Sequence, residues 1–436
     1  MRSRPPGKDK LASWAHGLQP LVERVVGSSF HSFPTVRTAS RQEVSDILTE
    51  ELLPHTCIAY RLPKGDIARD ITRPKAEQIA NGLVGKYWAK QHAILILPEV
   101  LEVMAQIFHE DVFLSDDFVR LLLTHECVHA LDEQDHHAIE RSGSPSSMEE
   151  SLMWDAVLEG HAQYQTERVA RELGLLELFK THERFIHASN PSLSEAEQYR
   201  DQWVGRYRAF SYIQGRTFFE FQSKRDPQYR KTIFSMLPST RRMILHPESY
   251  PEESGRPRGR DLADLWKTCT EEVDDRFHTV IPLSEYDLKH LVHRYLPNVS
   301  GELFGKFVRG ELCAIEDGTG PLGDKLYCSV WQGADPSWAE SAKDVLVALL
   351  KAKDSAWKAG EGKVVGSTYC VIELKGSVSA VQARRYRSIE GVRRQYDYVL
   401  AAFGECLIWL TASNGILDES EMRETAEEVV AYLRTP

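Results

Sequence analysis

The chain has 436 residues, 42% of them apolar and 27% charged, and its 53 lysines and arginines stand against 64 acidic residues for a formal charge of −11. That balance excludes collagen-like, coiled-coil and largely disordered chains, and it speaks against general nucleic-acid binding, which needs a basic footprint. The length points to two domains rather than one.

Residues 1–20 read as a flexible leader, basic but without the apolar stretch of about 7–15 residues that marks a secretory signal. No run elsewhere is long and apolar enough to span a bilayer. Seven scattered cysteines with no CxxC fit a reducing compartment better than a disulfide framework, so the expected location is cytoplasmic. From Leu21 to His55 the pattern gives a helix, an extended stretch from Phe33 to Arg37, and a second helix opened by Ser40 with Glu43 three residues on, a capping box. The apolar run Ala93–Leu97, ended by Pro98, reads as a strand. Ser115-Asp116-Asp117 opens a helix to about Gln134. Gly143 and Pro145 then break the chain, and a second capping box, Ser147 with Glu150, opens a long helix to about Gly174. Further helical segments run to about Arg242, one of them after Ser194. Residues 251–262, rich in proline and glycine, read as a linker. Beyond it, strand-like runs lie at Lys363–Leu374, Ser379–Arg387, Tyr396–Ala402 and Glu405–Thr411, with a terminal helix after Asp418.

The chemistry is concentrated in Thr124-His125-Glu126-Cys127-Val128-His129, an HExxH motif. At about 100° per residue, His125 and His129 lie about 40° apart on one helix face, where two neutral imidazoles can hold one Zn²⁺. Glu126 sits about 60° round from His129, beside such an ion, placed to take a proton from water. A catalytic zinc needs a third protein ligand. Glu159, 30 residues past His129 on the next helix, is the candidate. His161 is a rival, but it points about 160° away from Glu159. Gly160 lets helices approach closely at that point. Asp155, Gln163 and Thr166 share the face of Glu159, a polar stripe suited to steadying the ligands from behind. Asp132, one turn after His129, is placed either to orient a ligand histidine or to meet solvent near the helix end. Asp135, His136 and His137 read as loop.

HExxH with a glutamate on a following helix resembles the gluzincin class of zinc metallopeptidases. The continuation His129-Ala130-Leu131-Asp132-Glu133-Gln134 and the segment Leu158-Glu159-Gly160-His161-Ala162 are similar to a bacterial family of predicted zinc-dependent proteases. Further similar segments are Ser211-Tyr212-Ile213-Gln214-Gly215 through Phe219, Leu237-Pro238-Ser239-Thr240, and Ile244-Leu245-His246-Pro247-Glu248 through Tyr250. The likeness covers roughly residues 20–250. His161 departs from it, standing where the family has an acidic residue. The resemblance implies a Zn²⁺ cofactor on His125, His129 and Glu159, Glu126 as general base, and a peptide or protein substrate. Tyr212 and His246, because they lie in matching segments, become the candidate donors to the oxyanion of the tetrahedral intermediate. An extended peptide is expected to pair with the edge of the Ala93–Leu97 strand. A different reading keeps the zinc and drops the proteolysis, giving the site a structural role or another hydrolysis.

The expected fold is therefore α+β: a mainly helical, zincin-like metallopeptidase domain over residues 21–250 with a small N-terminal sheet, then a smaller α+β domain over 263–436 with an antiparallel sheet. The second domain carries Arg384, Arg385, Arg387, Arg393 and Arg394 around Tyr386 and Tyr396. That stretch either meets an acidic partner or is an exposed strand face kept soluble by charge.

Overall fold

A computed structural model describes residues 8–186, 208–251, 262, 265, 277–293, 295–317, 324–359, 364–376, 378–389, 392–413 and 417–434. The chain forms two compact units, Met1–Ser254 and Gly255–Pro436, and is α+β throughout. The expected helix after Ser194 falls at residues 187–207, outside the described residues, and so do residues 252–261 of the expected linker. No helix among the described residues is long and apolar enough to cross a membrane.

The first unit begins with helix α1 (Lys8–Val26), whose Leu11, Ala15, Leu18, Val22 and Val25 recur every three or four residues and are all buried. From residue 8 onward this corrects the reading of a leader: the apolar stripe enters one core with Val119, Leu122 and Leu123 of a later helix. Strand β1 (Thr35–Thr38) follows, then helix α2 (Arg41–Ala59), where the Ser40 hydroxyl accepts the Glu43 N–H at 3.2 Å. Helix α3 (Asp66–Ala80) leads to strands β2 (Gly85–Trp88) and β3 (Ala93–Ile96).

These strands form a sheet in the order β1-β3-β2, with β1 parallel and β2 antiparallel to β3. The two faces of β3 are separated by its alternation. Ile94 and Ile96 enter the core of α1, while Ala93, Leu95 and Leu97 pack with Val44, Ile47 and Leu48 of α2. Burial on both faces makes β3 a continuous apolar run. The pairing order makes β3 the central strand, so the expectation that a peptide pairs with its edge is corrected: the outer strands are β1 and β2.

Helix α4 (Pro98–Ile107) precedes α5 (Asp116–His136), which carries the HExxH motif. Ser115 caps α5 by accepting the Phe118 N–H at 3.2 Å, and Asp116 and Asp117 complement its first turn. The helix runs through Asp135 and His136, which were expected in a loop, and stops where His137 adopts φ 50°. A short α6 (Ala138–Ser142) leads to α7 (Met148–Glu172), capped by Ser147 accepting the Glu150 N–H at 3.1 Å. Helix α8 (Leu176–Ile186) follows.

The second unit is built on a seven-stranded antiparallel sheet. Its strands are β4 (Phe277–Leu283), β5 (Phe307–Asp317), β6 (Asp324–Gly333), β7 (Val364–Leu374), β8 (Val378–Ile389), β9 (Val392–Phe403) and β10 (Cys406–Ser413), in the spatial order β4-β5-β6-β10-β9-β8-β7. The terminal helix Glu419–Arg434 packs Met422, Ala426, Val429 and Val430 on one face, with Val399, Ala401, Ile408 and Leu410. The helix Pro336–Ala359 packs Trp338, Leu346 and Leu349 on the other, with Leu400, Ala402 and Leu407. This alternation fills both faces of the sheet. It also corrects the basic stretch. Arg385 is 3% exposed and ion-paired with Asp354, whose other oxygen accepts the Tyr369 hydroxyl at 2.5 Å. Arg384 bonds Asp397 at 2.6 Å. These two arginines serve the fold, and the side chains of Arg387, Arg393 and Arg394 lie outside the described residues.

Candidate metal centre

His125 and His129 are each 8% exposed on α5, and Glu159 reaches them from α7 with a side chain 28% exposed. Their ligand atoms converge. His125 Nε2 lies 3.1 Å from His129 Nε2 and 3.1 Å from Glu159 Oε2, and His129 Nε2 lies 3.6 Å from the same oxygen. A tetrahedral ion with bonds of about 2.0–2.2 Å spaces its ligand atoms about 3.3–3.6 Å apart. The triangle fits a metal, and the donor set of two imidazoles and one carboxylate is one that zinc takes. Burial works against the charge of Glu159, yet His129 and His125 hold its carboxyl well below the usual range. Burial likewise opposes protonation of His129, and Glu159 overrides it and raises the imidazole. The carboxylate demands a cation among the imidazoles, which a proton or a dication can supply.

Glu126, 6% exposed, turns toward β2, an outer strand of the sheet. Its Oε2 accepts the Tyr87 N–H at 2.5 Å, and a Cβ at Gly85 would stand only 3.2 Å from its Oε1. Glycine at position 85 gives the carboxylate its seat. Lys86, between them, pairs with Glu51 of α2 at 2.7 Å.

Tyr212 sits on a turn of π-helix, Phe210–Gln214. Its ring is parallel to the His125 imidazole, 5.7 Å between centroids and 3° between planes. Burial, and then the charge of Glu159, push its pKa well up. The next helix, Gly215–Arg225, crosses α7 backbone to backbone. A Cβ at Gly160 would lie 2.4 Å from the carbonyl carbon of Gly215, and one at Gly215 would lie 2.3 Å from the Ala156 oxygen. Gly160 does allow a close approach, but its partner is Gly215.

Several expected roles are corrected. Asp132, fully buried, neither faces solvent nor orients a ligand. Its Oδ2 pairs with His161 Nδ1 at 2.8 Å and its Oδ1 takes Nε and Nη2 of Arg230 at 3.1 and 3.0 Å, while the buried His129 Nδ1 has no hydrogen-bond partner among the described residues. Burial opposes its ionisation, but His161 and Arg230 hold its carboxyl below the usual range. His161 is thereby excluded as a rival ligand, its Nδ1 being held by Asp132. Asp155 is exposed, with no hydrogen bond or ion pair to a ligand among the described residues, so it does not back one. Gln163 is fully buried with neither amide atom partnered among the described residues. Thr166 bonds its own helix, at the Ala162 oxygen. His246, expected as an oxyanion donor and not as a ligand, ends the helix Arg241–Leu245 with its Nδ1 3.7 Å from Glu248, and no contact among the described residues bears on that role.

Sequence reasoning missed Gly85 and Tyr87, because a four-residue strand leaves no legible period. It also missed His182 on α8, which burial and then the charge of nearby His125 push down to about 4. A second group of close ligand atoms, Glu133, His137 and Glu140, has a plainer explanation. Glu133 accepts the N–H groups of Ile139 and Glu140 and so caps α6. Compared with known proteins, the chain matches no family model, no curated protein and no solved structure.

Proposed function

We propose that the chain is a zinc-dependent metallopeptidase of the gluzincin kind, its first unit a zincin-like domain, with Zn²⁺ on His125, His129 and Glu159. The observation that carries this is the convergence of two imidazoles and a carboxylate at metal-ligand spacing, beside a second carboxylate one position after the first histidine. When bound, the ion supplies Lewis acidity toward a scissile carbonyl and acidity toward water. Glu126 takes the proton of the attacking water and passes it to the leaving amine. Its hold on the Tyr87 N–H keeps it at the edge of β2, where an extended peptide is at hand. Tyr212, whose raised pKa keeps the hydroxyl protonated, is placed to donate to the developing oxyanion. The partial exposure of Glu159 lets substrate reach the site, which favours this reading over a closed structural zinc.

The test is metal content followed by hydrolysis. The purified protein is expected to hold close to one zinc per chain, and His129→Ala to lose it. Glu126→Gln is expected to keep the metal and lower the hydrolysis of unstructured peptides by about 10²–10⁴-fold. Hydrolysis that survives Glu126→Gln at full rate would remove the mechanism, and zinc binding without hydrolysis would return the site to a non-proteolytic role.

A further inference from the structure

The sheltered arginines of the first unit are matched by carboxylates. Arg37, Arg69, Arg120, Arg216, Arg230 and Arg241, each buried or half-buried, all form ion pairs within the unit. Arg208 departs from this pattern. It is half-buried, yet no hydrogen bond or ion pair joins it to any of the described residues. A guanidinium in that position has given up part of its hydration without gaining a counter-charge. The missing partner is an anion, and the planar fork of an arginine is shaped for a carboxylate.

Two elements place this cation beside the candidate metal centre. Arg208 is helical and lies one turn before Tyr212, whose ring is parallel to that of His125. Its charge is near enough to act on the Tyr212 hydroxyl. The guanidinium itself rests on the backbone just ahead of β2: a Cβ at Gly82 would stand 3.4 Å from both Nη1 and Nη2. Gly82 is fixed in turn by its N–H, which the Ile79 oxygen accepts at 3.0 Å. Glu126 meets the same stretch of backbone at Gly85. Arg208 and Glu126 are therefore laid along three residues of one chain, a span of at most about 11 Å. An extended peptide beside that stretch covers it in about three residues.

We infer that Arg208 is a subsite for a carboxylate of the substrate, so that preferred peptides carry a chain-terminal or side-chain carboxylate about two to three residues from the bond that Glu126 serves. This rests on the peptidase reading for the place of that bond, and on the unpaired guanidinium and its seat at Gly82 for the ligand.

Binding separates the two. Zinc-loaded Glu126→Gln protein is titrated with unstructured peptides labelled at the amino end, and fluorescence anisotropy is followed. One peptide has no acidic side chain and ends in a carboxamide; a second is the same peptide with a free carboxyl end. A further set keeps the carboxamide and carries a single glutamate at successive positions, each compared with its glutamine counterpart. A carboxylate is expected to tighten binding by about tenfold or more, the scale of one charge-assisted hydrogen bond. A gain from the free end assigns Arg208 to the chain terminus, and a gain at one glutamate position assigns it to an acidic side chain. Arg208→Gln in the same background is expected to erase the gain, with the melting temperature as the control for folding. Equal binding across the whole set overturns the inference before any change at position 208 is made, and a gain that survives Arg208→Gln overturns it too. If wild-type protein hydrolyses none of these peptides while Arg208 still selects the carboxylate, the reaction falls and the subsite stands; hydrolysis with no such selection does the reverse.

Discussion

His136 closes α5 with its ring stacked on Phe234, 4.7 Å between centroids, and its Nε2 is buried with no hydrogen-bond partner among the described residues. Burial, then the charge of Arg230, push its pKa down to about 4. His55 is pushed to about 4 as well, by burial and then by Lys75. A histidine whose folded pKa lies below its unfolded value of about 6.5 favours the fold fully above that value. The contribution is lost as pH falls from about 6.5 toward 4. His136→Phe keeps the stacking and removes the titration. In the presence of a chelator, urea midpoints of the wild type are expected to drop between pH 7.5 and 5.0, and those of His136→Phe to drop less. Equal drops in the two proteins would show that His136 is not one of the groups responsible.

At the scale of elements, the crossing at Gly160 and Gly215 sets how Tyr212 meets Glu159. A methyl on Gly215 would have to displace backbone, not a flexible side chain. Gly215→Ala is expected to cost about 1–3 kcal/mol of stability and to lower zinc affinity, both readable by melting with and without metal; unchanged values would mean the helices can slide apart freely. What the sequence made legible follows from range. The HExxH face, the caps at Ser40 and Ser147, and the run of strands from Lys363 to Thr411 are local patterns. The pairing of Asp132 with His161 joins two helices 29 residues apart, and Gly160 finds its partner 55 residues on. Arg385 looked exposed because Asp354, its partner, lies on a helix that was not expected at all. The opening of α1 was hidden by its basic, proline-bearing start.

For the whole molecule, each unit owns its core, so metal and fold are expected to act separately. Calorimetry is expected to show two transitions, with zinc removal lowering one of them. Arg385→Met leaves Asp354 charged and buried, a loss of about 3–5 kcal/mol, and is expected to lower only the other. If both transitions moved together under either change, the units would be folding as one.

The shortness of β2 has its own consequence. Leu97 donates to the Val84 oxygen, so by alternation Gly85 and Tyr87 turn their backbone groups away from β3. Glu126 already takes the Tyr87 N–H. A guest strand is left with little more than the groups of one residue to hold. On the proposed peptidase reading, main-chain pairing here would give a brief residence time: it would align a peptide without retaining it, so that fragments would leave as readily as the substrate came.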